Sequence, residues 1–235
     1  MTRKVQKDRE RFFVEEAARS LGLSWTIVGD TDPPDFIVEG EGARFGLEVR
    51  DIFSGPQSVA GSVWKQGESV KHRFIDSIRL EYERAANCSL DVKFVGRVGL
   101  ENKVELLKRL IDVGFPALAV GQKVVLELSD GLRVHATKAF RPNWYSVNDR
   151  VGFVDRNPQR VIISAIDEKA RKLARYLDRA GEDIRLLLVA NRIFNSGKLA
   201  LEPDERYDFK GFRAVYFFPY PEPAVVLPEL DEMKR

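Results

Sequence analysis

The stretch DPPDFIVEGEGARFGLEVRDI, Asp32 to Ile52, constrains the fold more than any other part of the chain. Two consecutive prolines cannot lie inside a central strand, because neither has the N–H that a sheet ladder needs. They mark a turn, and DFIVEG and RFGLEVRDIF beyond it read as strands joined by a hairpin-type connection, GEG at 40–42. Side chains alternate faces along a strand, so Phe45, Leu47 and Val49 share one face, and Gly46, Glu48 and Arg50 the other. In the preceding strand, Asp35 and Ile37 lie opposite Phe36 and Val38. Pairing through the 39–44 turn lets Asp35 and Glu48 converge at one end of the sheet, inside what otherwise reads as apolar core.

The surrounding elements follow from periodicity. Residues 7–22 predict an amphipathic helix, with Phe13, Val14, Ala17 and Leu21 at helical spacing and Gly22 as a stop. SWTIVG (24–29) is a short β-rich run. SGPQSVAGS (54–62) reads as a mobile loop, followed by a helix from about Glu68 to Ala86. LDVKFVG is strand-like and ENKVELLKRLIDVG helical, while KVVLEL and LRVHATK form a hairpin turning at Asp130-Gly131. After a break at DRNPQR come a helix over 167–180, a strand over 184–192 and a strand over 212–219. The outer parts therefore read αβββ…αββ. The expected organisation is an α/β core over 1–53 and 158–235, with an α+β insertion over 54–157.

Length and composition bound the function. The 235 residues fit one large domain or a domain carrying a large insertion. A net charge of +2 does not by itself announce a nucleic-acid partner. The single cysteine, Cys88, rules out a disulfide framework or a cysteine-rich zinc site within one chain. No apolar run approaches the roughly 18 residues of a membrane span, and MTRKVQKDRERFF lacks the apolar centre of a signal peptide, so a cytoplasmic location is expected. GPQSVAGS lacks the Gly-Lys-Ser/Thr ending of a phosphate loop, and no G-x-S-x-G elbow occurs.

The acidic pair carries the chemistry. Two carboxylates held together repel each other unless a cation lies between them, and hard oxygen donors suit Mg²⁺ or Mn²⁺. Such an ion polarises a phosphoryl oxygen and lowers the pKa of a bound water. Arg50, on the face of Glu48, is a candidate for meeting the charge that develops on phosphorus.

On these residues the chain resembles the PD-(D/E)xK nuclease superfamily: Pro34-Asp35 matches the first half of its motif, and Glu48-Val49-Arg50 the second. The resemblance covers both ends of the chain and not the middle. It implies a restriction-endonuclease-like core, αβββαβ, with a mixed central sheet flanked by helices. It also implies metal-dependent hydrolysis of phosphodiester bonds, with Mg²⁺ or Mn²⁺ on Asp35 and Glu48 and with DNA as the expected substrate. The family's glutamate on the first helix is best matched by Glu10, since Phe13, Val14 and Ala17 follow at three, four and seven residues; Glu16 is the alternate. Nucleases that cut both strands are often dimers, so a homodimer is one expectation.

One position departs from the pattern. Arg50 stands where the family has lysine; arginine keeps the charge and can hold a phosphate, but cannot act as a titrating base. Lys169 and Lys172, on the helix expected beside the sheet, are candidates for a displaced lysine, and Lys65 is a weaker one. Lys172 and Tyr176 also have the spacing of the Gln-x-x-x-Tyr signature found in the RecB-like branch. With Arg50 and Lys172 as the catalytic cations, Lys65, Lys169 and Trp144 are the expected nucleic-acid contacts, Trp144 because Trp144-Tyr145 follows the basic KAFRPN. Two other readings stay open. One is a nuclease-like fold without catalysis that binds nucleic acid or assembles with proteins. The other is a plain interaction protein in which Glu48 pairs with a basic neighbour.

Overall fold

A computed structural model describes residues 3–55, 57–58, 61–129, 131–147, 154–202 and 204–230. The chain opens with helix α1 (Arg3–Leu21) and strands β1 (Thr26–Asp30), β2 (Phe36–Gly40) and β3 (Ala43–Asp51). Two short strands, β4 (Gln57–Ser58) and β5 (Gly61–Ser62), precede helix α2 (Val63–Ala86) and strand β6 (Leu90–Val95). Next come helix α3 (Lys103–Asp112) and strands β7 (Lys123–Glu127), β8 (Arg133–Lys138) and β9 (Asn143–Val147). Helices α4 (Gln159–Ala170) and α5 (Leu173–Ala180) lead to β10 (Ile184–Val189), β11 (Ala214–Phe218) and β12 (Val225–Val226). The protein is a mixed α/β structure that divides into two compact units, residues 1–57 with 153–235 and residues 58–152.

The first unit is built on a six-stranded mixed sheet in the order β1-β2-β3-β10-β11-β12. The β1–β2 and β2–β3 pairs are antiparallel, whereas β10 runs parallel to both β3 and β11. Such a central parallel strand is covered on both faces, and every residue of β10 is buried. One face packs Phe13, Val14 and Ala17 of α1 against Leu47, Val49, Leu187 and Phe218. The other packs Ile162 and Ile166 of α4 and Tyr176 of α5 against Leu186, Leu188 and Phe217. The alternation of β3 thus turns Leu47 and Val49 toward α1 and leaves Glu48 facing α4 and α5.

The second unit is a four-stranded mixed sheet in the order β7-β8-β6-β9, with α2 and α3 packed on it. Ile75, Ile78 and Tyr82 recur at helical spacing on α2, and Leu106 and Leu110 on α3; all are buried against Leu90, Val92, Phe94 and Val134. The expected hairpin is the antiparallel β7–β8 pair, although Asp130 lies outside the described residues. Within the expected loop at 54–62, residues 57–58 and 61–62 pair as β4 and β5, while 56, 59 and 60 lie outside the described residues.

Two expectations about helices are corrected. The helix expected at 68–86 begins five residues earlier, at Val63, where Ser62 caps it by accepting from the Lys65 N–H. The helix expected over 167–180 is two helices, separated by a tight turn in which the Lys172 N–H donates to the Lys169 carbonyl at 2.9 Å. No helix among the described residues is long and apolar enough to cross a membrane.

Candidate active site

The antiparallel register sets the site. Phe36 pairs with Leu47 and Ile37 with Gly46; Asp35 immediately precedes the first of these pairs, and its carboxylate lies close enough to act on that of Glu48. Like charges held that close are unfavourable. Asp35 is held in place from two sides. The Val49 N–H donates to its Oδ2 at 2.9 Å, and Lys7 Nζ donates to its Oδ1 at 2.8 Å and to its backbone carbonyl at 2.9 Å. Lys7 belongs to α1, where one turn later Glu10 presents Oε2 at 3.6 Å from the same ammonium. Gln6 Nε2 donates to Glu10 Oε1 at 2.9 Å, and Glu10 is buried.

Glu48 is reached from the opposite side. Lys169, in the last turn of α4, donates from Nζ to Glu48 Oε1 at 2.5 Å, and both residues are buried. Burial pushes the Glu48 carboxyl above its usual range, and the neighbouring Asp35 pushes it further; Lys169 opposes both without cancelling them. The Tyr176 hydroxyl of α5 lies buried beside Glu48, and burial and that carboxylate drive its pKa upward. Close packing of α5 is possible because position 46 has no side chain. A Cβ on Gly46 would stand 2.8 Å from the Ala180 Cβ, 2.8 Å from Ile184 and 2.9 Å from Pro34.

The structure therefore gathers Lys7, Glu10, Asp35, Glu48, Lys169 and Tyr176. Arg50 lies on the same face of β3 but pairs with Glu168 at 2.6 Å. Lys172 is exposed at the start of α5, since the break after Ala170 removes it from the face that carries Lys169. Lys65 sits in the first turn of α2, in the other unit, and not in a loop. Trp144 is not available for stacking on a ligand: it is buried against Tyr82 and Phe94, with both ring centroids at 6.0 Å. Glu16 pairs with Arg19 on the surface of α1. Lys7 was the residue that sequence reasoning missed. Its spacing of three residues from Glu10 was a signal, but one shared by many solvated helix pairs.

Comparison of the chain with protein-family models, with curated proteins and with solved structures finds no match. Among the described residues no three His, Cys, Asp or Glu side chains form a ready metal cage. The donor set nevertheless fits a hard divalent cation that keeps much of its water. Burial is the larger cause of the raised Glu48 and the neighbouring Asp35 carboxylate adds to it; a cation between the two would offset the second contribution.

Proposed function

We propose that the first unit is a restriction-endonuclease-like core and that the protein hydrolyses phosphodiester bonds, in DNA, with Mg²⁺ or Mn²⁺. The observation that carries this reading is the proximity of Asp35, just before β2, to Glu48 of β3, with the Lys169 ammonium on Glu48. That is one carboxylate after a proline, one in the next strand, and a lysine brought to the second from α4. Lys169 thereby brings a lysine ammonium to the site, where β3 itself carries arginine.

In this reading Asp35 and Glu48 hold the cation, and Glu10 supports it from α1. When bound, the cation polarises the phosphoryl oxygen and makes a water nucleophilic at neutral pH. The protein's own residues supply the rest. The Val49 N–H and Lys7 orient the Asp35 carboxylate from two directions. Lys169 places positive charge where the phosphoryl group gains negative charge, in a site where burial strengthens that interaction. Arg50, at the more open end of the same strand face, is placed to hold an adjacent phosphate if Glu168 releases it.

The test is incubation of the purified protein with plasmid and single-stranded DNA in Mg²⁺ or Mn²⁺, beside Asp35→Asn and Glu48→Gln. Both substitutions keep the size of the side chain, and the asparagine keeps an oxygen for the Val49 N–H. Cutting by the wild type alone supports the reading. DNA bound without cutting by all three proteins would replace it with that of a non-catalytic nucleic-acid-binding module.

A further inference from the structure

The four-stranded sheet of the second unit has one face occupied by the core under α2 and α3, and strand alternation turns the other residues of each strand away from that core. The registers align Val125 of β7, His135 of β8, Lys93 of β6 and Tyr145 of β9 in a single row across the sheet. Tyr145 and Val125 are 42% and 47% exposed. Because Trp144 points into the core, its neighbour Tyr145 must point out, which moves the available aromatic ring by one residue from the sequence expectation.

The charges on this face are uneven. Its acids are engaged: Glu127 pairs with Arg133 at 2.9 Å, and Asp91 accepts from Asn143 at 3.4 Å. Among the described residues, Lys93 and Lys123 make no ion pair. Burial holds the His135 imidazole below its usual range, and Lys123, Lys93 and Arg133 lower it further, which marks the face as electropositive. Beyond the end of β8, the connection to β9 carries Phe140, 87% exposed, and the exposed Arg141.

We propose that this open face binds single-stranded DNA, with a base stacked on Tyr145 and phosphates met by Lys93 and Lys123. An exposed aromatic ring amid unpaired lysines on a sheet offers what a single strand presents, a base plane and a backbone charge at close intervals; a duplex hides its base planes. The choice of DNA over RNA rests on the phosphodiesterase reading. The stacking and charge do not depend on it.

The experiment is fluorescence anisotropy of a labelled oligodeoxythymidine with the full chain in EDTA, so that no divalent cation contributes. Tyr145→Ala weakens binding about tenfold while Tyr145→Phe retains it. Lys93→Met and Lys123→Met each flatten the slope of log affinity against log salt by about 0.7. Circular dichroism confirms that each variant is folded. Tyr145-dependent binding by a protein that cuts nothing would sink the phosphodiesterase reading and leave this face standing. Binding indifferent to Tyr145, no binding by the wild type, or displacement of the oligonucleotide by RNA of the same sequence or by an acidic peptide would each overturn the assignment.

Discussion

Lys169 meets Glu48 at 2.5 Å across 121 residues of chain, tying the last turn of α4 to the middle of β3. A carboxylate in that position would be costly alone, because burial and Asp35 both act against its charge. The ammonium is therefore structural, and the proposed function gives it a second role. Two substitutions separate these roles. Lys169→Met leaves Glu48 buried without its partner and lowers stability by about 3 kcal/mol, measured by urea denaturation at neutral pH. The double variant Lys169→Met, Glu48→Gln recovers most of that loss yet cuts no DNA. A single variant as stable as the wild type would mean that Glu48 does not depend on Lys169.

The raised Glu48 carboxyl gives stability a definite pH dependence. The folded state binds its proton more tightly than the unfolded chain, whose glutamate titrates near 4.5. Unfolding therefore releases that proton between 4.5 and the higher folded value, so the contribution of Glu48 to stability is greatest below 4.5 and declines as pH rises through the folded pKa. Comparing wild type with Glu48→Gln isolates it. The stability difference shifts toward the variant as pH rises from 4 through the folded pKa, then becomes level. A difference that shifts toward the wild type over the same range would show that Lys169 outweighs burial.

How much of this was legible depends on the period of each element. In β3 a period of two assigns every residue to a face, and the short turn at 40–42 restricts the pairing of β2 with β3; the proximity of Asp35 and Glu48 could be anticipated from those two facts. The lysine could not be chosen from sequence. Lys169 and Lys172 are three apart, so on one continuous helix they would share a face, and nothing in Arg171-Lys172-Leu173 announces the break that separates them. Trp144 and Tyr145 show the reverse limit. Adjacent strand residues must face opposite ways, but an aromatic pair does not reveal which member is inside until α2 and α3 are packed. Lys7 was hidden because a lysine near a chain terminus usually faces water.

Lys7 makes a prediction about ligand binding. Its ammonium holds one Asp35 oxygen at 2.8 Å and lies 3.6 Å from Glu10, so any cation approaching Asp35 must compete with it. Lys7→Met removes that competitor. Mn²⁺ affinity, followed by isothermal titration calorimetry, should rise by up to about fivefold, the range for a partly exposed ion pair. An affinity that falls on this substitution would assign Lys7 the opposite part, that of holding Asp35 in the geometry the cation needs.

Gly46 is the point where the fold and the site constrain each other most directly. It precedes Glu48 by two residues on the same face, and three neighbours crowd the place its Cβ would take: Ala180 at the end of α5, Ile184 at the start of β10, and Pro34. Backbone-fixed groups such as Ala180 Cβ and the proline ring cannot swing aside, so Gly46→Ala must displace α5 or the Pro34 turn. Overpacking of this kind costs about 1–3 kcal/mol, to be read from thermal or urea unfolding. The direction of displacement has different consequences for the site. Movement of Pro34 carries Asp35 with it and weakens cation binding, whereas movement of α5 withdraws Tyr176 from Glu48 and leaves the Asp35 contacts in place. Mn²⁺ titration of Gly46→Ala distinguishes the two, and unchanged stability would show that the turn and the helix yield more easily than their packing indicates.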